Sequence, residues 1–287
     1  MDLEIGRFIR EIRKNKGYSQ KYLINNLMTQ SAYSKFELEK TDIRTTTFIN
    51  ILDHLEMSLE EFEYIKNNYR FNQRKSIINS FFNLVYNDKD ELQKLVREIN
   101  EYLNGRQDIL LTDIWIVCNS LLLLIDTKDF KQASIPANKV WERLSKRNQL
   151  YITDIYLLNS IYFIFPLETA LEMKNFIDKS IDYYKDFKDV QRLKINMYFN
   201  LSLLLINKGR YQEALKEINA IEQHCREQKA YIQLAIGYIR KGICLNRLGD
   251  SGEQWIDKGK GLLLSIEEFS ILKVIEDELK RYNEKPY

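Results

Sequence analysis

The 287 residues carry 43 lysines and arginines against 41 aspartates and glutamates, a formal net charge of +2. This balance excludes a polyelectrolyte, so any contact with nucleic acid must come from a local basic patch. Apolar residues make up 45% of the chain and charged residues 29%, which is typical of a folded soluble protein. With ten glycines and three prolines, helix-breaking residues are scarce, and the composition predicts an all-α fold.

The cysteine pattern and the apolar runs predict the compartment. Cys118, Cys225 and Cys244 form no C-x-x-C motif, which indicates a reducing cytoplasm. The N-terminal MDLEIGRFIREIRK alternates charged and apolar residues, so we expect no secretory signal peptide. The longest apolar run, Ile109–Ile125, is shorter than the roughly 20 residues of a membrane span, and we interpret it as a buried helix. These features predict a cytoplasmic protein without a membrane partner.

Five short helices are predicted over the first 66 residues. An apolar stripe at helical spacing indicates the first helix, and Gly17 is expected to end it as a C-cap would. Ser19 is the predicted N-cap of the second helix, and Ser58 opens a capping box at the fifth. Thr45 or Thr46 is expected to cap the fourth helix.

Longer helices follow a polar joint, KNNYRFNQRK. This change in pattern predicts a boundary between one domain at 1–66 and a second domain at 67–287. Short loops between the long helices predict antiparallel packing of neighbours. The predicted long helices are 71–87, 90–104, 109–126, 130–147, 152–165, 168–186, 190–208, 211–227, 230–248, 253–266 and 269–283.

One polar position recurs in alternate long helices. It holds Asn119, Asn159, Asn200 and Arg240, with spacings of 159−119 = 40, 200−159 = 41 and 240−200 = 40. The unit Asn200–Ile218, with a Gly turn before Ala214, resembles the tetratricopeptide pattern, in which a small Ala lets two helices approach closely. The second domain is therefore predicted to be a right-handed α-solenoid of tetratricopeptide-like helix pairs, whose first helices line one concave face.

Residues 17–40, GYSQKYLINNLMTQSAYSKFELEK, resemble the helix–turn–helix of phage-repressor-like regulators. Gly-x-Ser-Gln opens the first motif helix, and the recognition helix reads Ser-x-apolar-Ser-Lys-aromatic-Glu over Ser31–Glu37. The pattern departs at Glu39–Lys40, where a Gly usually follows the recognition helix. The resemblance implies a five-helix repressor-like domain in which Arg13 and Glu37 form a structural ion pair.

This resemblance implies contacts with double-stranded DNA. Gln20, at a helix start, is expected to offer its amide to a phosphate. The leading face of the recognition helix is expected to reach base edges in the major groove. Residues 1–44 carry nine Lys and Arg against six Asp and Glu, a modest patch that predicts a dimer on two half-sites. The expected base contacts are Gln30, Ser31, Ser34 and Lys35, and the expected phosphate neutralisers are Lys21 and Lys40.

A repressor-like helix–turn–helix followed by a helical solenoid resembles the peptide-pheromone-sensing regulators of Gram-positive bacteria, the RRNPP group. The residues from Ser19 to Phe62 look most like the Rgg/GadR/MutR branch. The resemblance implies a homodimeric, cytoplasmic transcription regulator. Its solenoid would bind a short, hydrophobic signalling peptide, as in quorum sensing, and would modulate promoter binding or activation.

The recurring polar position suits an extended peptide, because an amide side chain can donate to one backbone group and accept from the next. We expect Arg240 to meet a carboxylate of the peptide. The same amides can instead bond to neighbouring backbone carbonyls, and tyrosines at helical spacing are commonly core residues. The predicted peptide-binding residues are Asn119, Asn159, Asn196, Asn200, Arg240, Tyr156, Tyr162, Tyr198 and Tyr238.

Catalytic and metal motifs are not found in the sequence. His54 and His224 lack metal-ligand spacing, and no phosphate-binding glycine motif or G-x-S-x-G occurs. We therefore expect no enzyme activity, metal or cofactor. Two alternatives stay open: a helical-repeat adaptor that binds a partner protein without DNA, and a regulator with a non-peptide ligand.

Overall fold

A computed structural model describes residues 4–25, 27–84, 88–187 and 190–283. Within these ranges the chain forms α-helices and two short 3₁₀ helices, Tyr162–Ile164 and Asp182–Tyr184, and no β-strand. The all-α prediction is confirmed. The helices are α1 (Ile5–Asn15), α2 (Gln20–Ile24), α3 (Gln30–Glu37), α4 (Thr45–His54), α5 (Leu59–Lys66), α6 (Gln73–Phe82), α7 (Lys89–Leu103), α8 (Ile109–Thr127), α9 (Phe130–Leu144), α10 (Ile152–Ile161), α11 (Leu167–Ile181), α12 (Val190–Asn207), α13 (Tyr211–Glu227), α14 (Tyr231–Leu248), α15 (Glu253–Ser265) and α16 (Phe269–Asn283).

The chain divides into two compact units, residues 1–79 (unit 1) and residues 80–287 (unit 2). The division falls within α6, whereas the sequence places the boundary ahead of this helix, after residue 66. The core of unit 1 is formed by α1 to α5 and includes Ile9, Leu23, Tyr33 and Ile51, all fully buried.

Side-chain caps start several of the short helices. Ser19 Oγ accepts a hydrogen bond from Tyr22 N, and Ser58 Oγ accepts one from Glu61 N, each at 3.1 Å, as predicted for these two serines. Thr29 Oγ1 accepts a hydrogen bond from Ala32 N and so caps α3, a role that is not among the predicted caps. Thr45 and Thr46 lie inside α4, whose N-cap is Arg44 without a side-chain hydrogen bond, so the predicted threonine cap is wrong.

Close contact between α1 and α3 positions the recognition helix. A Cβ on Gly6 would lie 1.9 Å from the carbonyl oxygen of Phe36, so only glycine allows α1 to pack against the end of α3. At that end Glu39 takes a φ of 57°, the left-handed conformation that glycine usually provides. The Glu39 carboxylate also accepts a hydrogen bond from Arg7 N at 2.6 Å. The missing glycine is therefore replaced by a glutamate that caps the first turn of α1.

Unit 2 is built from two layers of helices. In the inner layer α8, α10, α12, α14 and α16 each contact the next. In the outer layer α9, α11, α13 and α15 each pack against the inner helix that precedes them. This alternation is the helix-pair arrangement expected of a tetratricopeptide-like solenoid, and it confirms that prediction.

Among the described residues, one helix is long and apolar enough to cross a membrane, namely α8. It packs against α7, α9 and α10. Its buried side chains include Leu111, Ile114, Val117 and Leu121. These contacts identify α8 as a core helix of unit 2, as the sequence predicted.

Candidate functional site

The exposed side of α3 carries the residues predicted to read DNA. Gln30, Ser31 and Lys35 are exposed and Ser34 is half-buried. The other side of the helix is buried in the core of unit 1 through Tyr33, Phe36 and Glu37. The structure thus separates a polar strip from an apolar side on this helix, and the strip includes its N-terminal turn.

A buried ion pair connects α1 to the recognition helix. Arg13 Nε lies 2.6 Å from Glu37 Oε1, and Arg13 Nη2 lies 2.9 Å from Glu37 Oε2. This is the pair expected from the sequence. Burial alone would raise the pKa of Glu37, but hydrogen bonds from Arg13 and Gln20 outweigh burial and hold this pKa below its ordinary value. Arg13 Nη1 also donates to Tyr18 O at 2.8 Å, so the pair is enclosed by further hydrogen bonds.

The predicted phosphate contacts fall into two groups. Gln20 Nε2 donates to Glu37 Oε2 at 2.7 Å, so this amide belongs to the ion-pair network and helps to position α3. Lys21 and Lys40 are exposed. Their ammonium groups are available to the phosphate backbone, whereas the Gln20 amide already has a buried acceptor.

A cavity of about 1310 Å³ lies within unit 2. It is lined by the inner helices α8, α10, α12, α14 and α16, by the C-terminal end of α6 and by the start of α9. The volume exceeds the roughly 300–1,000 Å³ of typical small-molecule pockets. The apolar lining includes Phe82, Leu121, Phe163, Ile236 and Ile275. Size and lining therefore suit an apolar ligand longer than most small molecules.

Five of the nine residues predicted to bind peptide line this cavity. They are Tyr156, Asn159, Asn196, Asn200 and Arg240. Their sequence spacing explains why they meet, because Tyr156 lies three residues before Asn159 and Asn196 lies four residues before Asn200. Residues three or four apart share one side of a helix.

Four predicted residues are not among the residues lining the cavity: Asn119, Tyr162, Tyr198 and Tyr238. Tyr198 and Tyr238 lie two residues before Asn200 and Arg240, which places them on the other side of their helices. Likewise, Asn119 lies two residues from Leu121, the residue of α8 that does line the cavity. The structure does not bring these side chains to the site.

Each of these four side chains has a local partner. Asn119 Nδ2 donates to Trp115 O of its own helix at 2.8 Å. Tyr162 is fully buried, and its hydroxyl donates to Met197 O. Tyr198 and Tyr238 each have a cationic partner. Lys174 Nζ lies 5.1 Å from the centre of the Tyr198 ring, and Arg226 Nη2 lies 2.9 Å from the Tyr238 hydroxyl.

Asn159 is the most informative polar residue in the cavity. It is 6% exposed, and among the described residues its Oδ1 has no hydrogen-bond partner. A buried acceptor without a hydrogen bond lowers the free energy of unfolding by roughly 1–3 kcal/mol. Two nearby hydrogen bonds connect α10, α12 and α14. Asn200 Nδ2 on α12 donates to Asn159 O on α10 at 3.4 Å, and Gln233 Nε2 on α14 donates to Asn196 Oδ1 on α12 at 3.2 Å. The cavity therefore presents an unused acceptor beside amides that already connect the inner helices.

Arg240 is paired with a residue that the sequence reading missed. Arg240 Nε lies 3.1 Å from Glu278 Oε1, and Nη2 lies 3.3 Å from Glu278 Oε2. Both side chains line the cavity and both are buried. Glu278 follows Arg240 by 278−240 = 38 residues, two fewer than the repeat spacing of 40, which points to Lys280 instead. The repeat spacing therefore identifies α16 but not this residue.

The cationic groups of the cavity outnumber its carboxylates. Lys128, Lys131 and Lys208 line it along with Arg240, whereas Glu278 is the one carboxylate among the described residues that line it. All three lysines are exposed. The charges favour a ligand with a negative group.

The cysteines are small core residues in unit 2. Burial raises the pKa of Cys118, Cys225 and Cys244 to about 12, so these thiols stay protonated at neutral pH. Within the described ranges, no group of three or more His, Cys, Asp or Glu side chains could hold a metal ion.

Two family models match the chain. Residues 9–62 match the helix–turn–helix family, and residues 151–259 match the C-terminal domain of the helix–turn–helix transcriptional regulator Rgg. The first match contains the Arg13–Glu37 network, and the second contains α10 to α14. Comparison with curated protein sequences gives no match.

Solved structures share the fold over nearly the whole chain. A putative transcriptional regulator from Listeria monocytogenes is 17% identical with a TM-score of 0.75, covering 97% of both chains. The pheromone receptor Rgg2 from Streptococcus dysgalactiae is 15% identical with a TM-score of 0.69, covering 96% of this chain and 99% of its own. PlcR from Bacillus thuringiensis, solved with the peptide PapR7 and DNA, is 17% identical with a TM-score of 0.69, covering 96% and 98%.

Proposed function

We propose that this chain is an Rgg-type helix–turn–helix transcriptional regulator, in which unit 1 binds promoter DNA and the cavity of unit 2 binds a short hydrophobic peptide. The peptide would modulate promoter binding or activation. The observation that carries the peptide proposal is the buried, unpaired Asn159 Oδ1 in a large apolar cavity.

The DNA proposal rests on the exposed strip of α3. Gln30, Ser31, Ser34 and Lys35 would enter the major groove, where amide, hydroxyl and ammonium groups discriminate base edges. Lys21 and Lys40 would neutralise phosphates. We propose that Gln20 acts indirectly, by holding Glu37 and thereby the orientation of α3. Because one such domain carries a modest positive patch, we propose a homodimer on two half-sites.

The DNA experiment uses duplexes that the wild-type full chain enriches from a random-sequence pool. Gln30→Ala and Lys35→Ala are each expected to weaken binding by roughly 1–3 kcal/mol, because each removes one group from the base-reading strip. Lys139→Ala, at an exposed lysine of unit 2, is the charge-matched control and should leave affinity unchanged. Unchanged binding in both α3 variants would show that α3 is not the reading helix.

The peptide proposal rests on backbone chemistry. An extended peptide presents N–H and C=O groups that a folded ligand keeps paired, and Asn159 Oδ1 is a buried acceptor that needs an N–H donor. Asn196 and Asn200, on the same side of α12, would extend the contact along the peptide. Tyr156 and the surrounding apolar side chains would hold its side chains.

The peptide experiment selects ligands from a pool of apolar heptapeptides by gel filtration with the full chain, followed by mass spectrometry. A selected peptide is resynthesised and its affinity is measured by calorimetry. Asn159→Ala should weaken binding by roughly fivefold to tenfold, and the double variant with Asn200→Ala further. Asn119→Ala removes the same side chain from outside the cavity and should bind normally. Equal affinity in Asn159→Ala and wild type would exclude the proposed amide contact.

We propose that the chain acts in the cytoplasm and by binding, without catalysis. The buried, protonated cysteines offer no nucleophile, and the charged cavity residues Arg240 and Glu278 are paired with each other.

A further inference from the structure

We propose that Arg240 forms a carboxylate subsite of the cavity, which Glu278 fills in the ligand-free chain, and that the terminal carboxylate of the bound peptide replaces Glu278. This inference rests on the proposed peptide binding and adds the chemistry of the ligand's end. It also links occupancy of the cavity to the last inner helix, α16, which carries Glu278.

The guanidinium of Arg240 is held in place independently of Glu278. Its Nη1 donates to Phe199 O on α12 at 2.8 Å, while Nε and Nη2 face the two carboxylate oxygens of Glu278. Planar guanidinium groups bind carboxylates through two parallel hydrogen bonds. Loss of Glu278 would therefore leave a preset pair of donors directed at an incoming carboxylate.

The exchange of one carboxylate for another avoids the main cost of breaking a buried ion pair. Removing a partner from such a pair is strongly unfavourable, because the remaining charge stays buried and uncompensated. When a ligand carboxylate enters as Glu278 leaves, Arg240 keeps a charged acceptor throughout. The leaving Glu278 regains hydration if it reaches solvent.

The wider charge pattern of the cavity favours an anionic ligand end. Lys128, Lys131 and Lys208 are exposed where they line the cavity, and Glu278 is the one carboxylate in the part of the lining that the structure describes. A peptide carboxylate is thus attracted towards the cavity, and the pairing with Arg240 fixes its final position.

The exchange has a consequence for α16. Glu278 is 8% exposed, so after losing Arg240 it cannot stay where it is without burying an unpaired charge. The same helix contributes Ile271, Ile275 and Leu279 to the buried core. A bound peptide fills the cavity into which the Glu278 side chain could otherwise turn. Movement of Glu278 towards solvent must then shift or loosen this helix. A ligand that lacks a carboxylate leaves the Arg240–Glu278 pair and α16 in place.

The first experiment compares two pools of N-acetylated heptapeptides built from Leu, Val, Phe, Ser and Gly. One pool ends in a free carboxylate and the other in an amide, so the terminal carboxylate is the only charge. We expect the full chain to retain peptides from the acid pool, with resynthesised acids binding at least about tenfold more tightly than their amides. Equal binding of acids and amides would overturn the carboxylate subsite and leave peptide binding intact. Retention from neither pool would instead contradict the proposed function.

The second experiment removes the pair. The double variant Arg240→Gln/Glu278→Gln replaces both charged side chains with amides of similar size. We expect this variant to bind the acid peptide and its amide with about equal affinity. Glu278→Gln alone removes the charged competitor and should raise the affinity for the acid by roughly tenfold. Glu276→Gln makes the same change at an exposed position of α16 and should leave both affinities unchanged. A retained acid preference in the double variant would place the carboxylate elsewhere, at the lysines.

The third measurement is hydrogen exchange of α16 in the wild-type chain. The acid peptide should increase exchange at residues 269–283, and its amide should not. In the double variant the two peptides should have the same effect on this helix. Protection of α16 by the acid peptide would contradict the displacement of Glu278.

Discussion

Unit 1 and unit 2 each bury an arginine–glutamate pair, and the two pairs have different surroundings. Arg13 and Glu37 are joined at 2.6 and 2.9 Å, with Gln20 and Tyr18 O adding hydrogen bonds. Arg240 and Glu278 are joined at 3.1 and 3.3 Å and border a cavity. Burial is similar, with the four side chains belonging to residues no more than 9% exposed.

Burial alone therefore does not determine the role of an ion pair. The pair in unit 1 is enclosed by other protein groups, so its carboxylate has no route to another partner. The pair in unit 2 lies beside open space, where a ligand carboxylate can take over one side. We infer a positioning role for Arg13 and Glu37 and an exchangeable one for Arg240 and Glu278.

The largest expected effect comes from breaking the enclosed pair. Arg13→Met leaves Glu37 buried without its cation and should destabilise unit 1 by about 3–5 kcal/mol. Arg240→Met should lower the free energy of unfolding of unit 2 by a smaller amount. In the ligand-free chain, Glu278 can turn into the empty cavity and regain hydration. Hydrogen exchange resolved by unit measures both losses, and Lys14→Met at an exposed position of α1 should stay within about 0.5 kcal/mol. Equal losses in the two units would remove the distinction.

A glycine substitution tests how strongly helix packing maintains the enclosed pair. Gly6→Ala places a Cβ against Phe36 O, so α1 must move away from α3. We expect this change to lower the free energy of unfolding of unit 1 by roughly 1–3 kcal/mol. The matched control is Gly261→Ala on α15, where a Cβ meets nothing within 4 Å and should stabilise unit 2 by about 0.5–1 kcal/mol. Chemical denaturation measures both signs. A stabilised Gly6→Ala chain would contradict the close contact.

Replacing both members of each pair by apolar residues should have a smaller effect. Arg240→Met/Glu278→Met is expected to change the stability of unit 2 by less than about 1 kcal/mol, since buried pairs are often replaceable in this way. Arg13→Met/Glu37→Met should destabilise unit 1 by about 1–3 kcal/mol, because Gln20 and Tyr18 O lose their partners. If both double variants are equally stable, the enclosing hydrogen bonds contribute nothing.

The smallest expected effect is the response to acid. The pKa of Glu37 lies below its ordinary value of 4.5, so folding favours the ionised form. This contribution is present above pH 4.5 and is lost as the pH falls below 4.5 through the folded-state pKa. Unfolding measured between pH 7 and pH 3 should show a loss in unit 1 that is weaker in Glu37→Gln. Parallel loss in both proteins would assign the acid response to other groups.

Much of the fold follows from local signals. The serines at 19 and 58 cap their helices as predicted, since a hydroxyl beside the first free N–H groups acts over three residues. Helices α8 to α16 lie close to their predicted ranges because apolar periodicity and short polar loops define them. The Arg13–Glu37 pair was expected from the helix–turn–helix resemblance, and its geometry supports that assignment.

The cavity was less predictable. The recurring position identified Asn159, Asn200 and Arg240, and it misplaced Asn119, although all four share the same spacing. Nothing local separates Asn119 from Asn159. Which side of α8 meets the cavity depends on how that helix is rotated against α7, α9 and α10, and these contacts join residues far apart in sequence.

Local sequence signals are sufficient to predict an all-α chain with a helix–turn–helix and a repeated helix pair, because periodicity, caps and motif residues act within a few positions. Packing between helices turns Tyr198 and Tyr238 away from the cavity and brings Gln20 to Glu37, and local signals do not predict either outcome. Packing also gives Arg240 its carboxylate partner. The physical reason is that a buried charge or amide takes whichever partner packing brings within hydrogen-bonding distance, and packing joins residues that are remote along the chain.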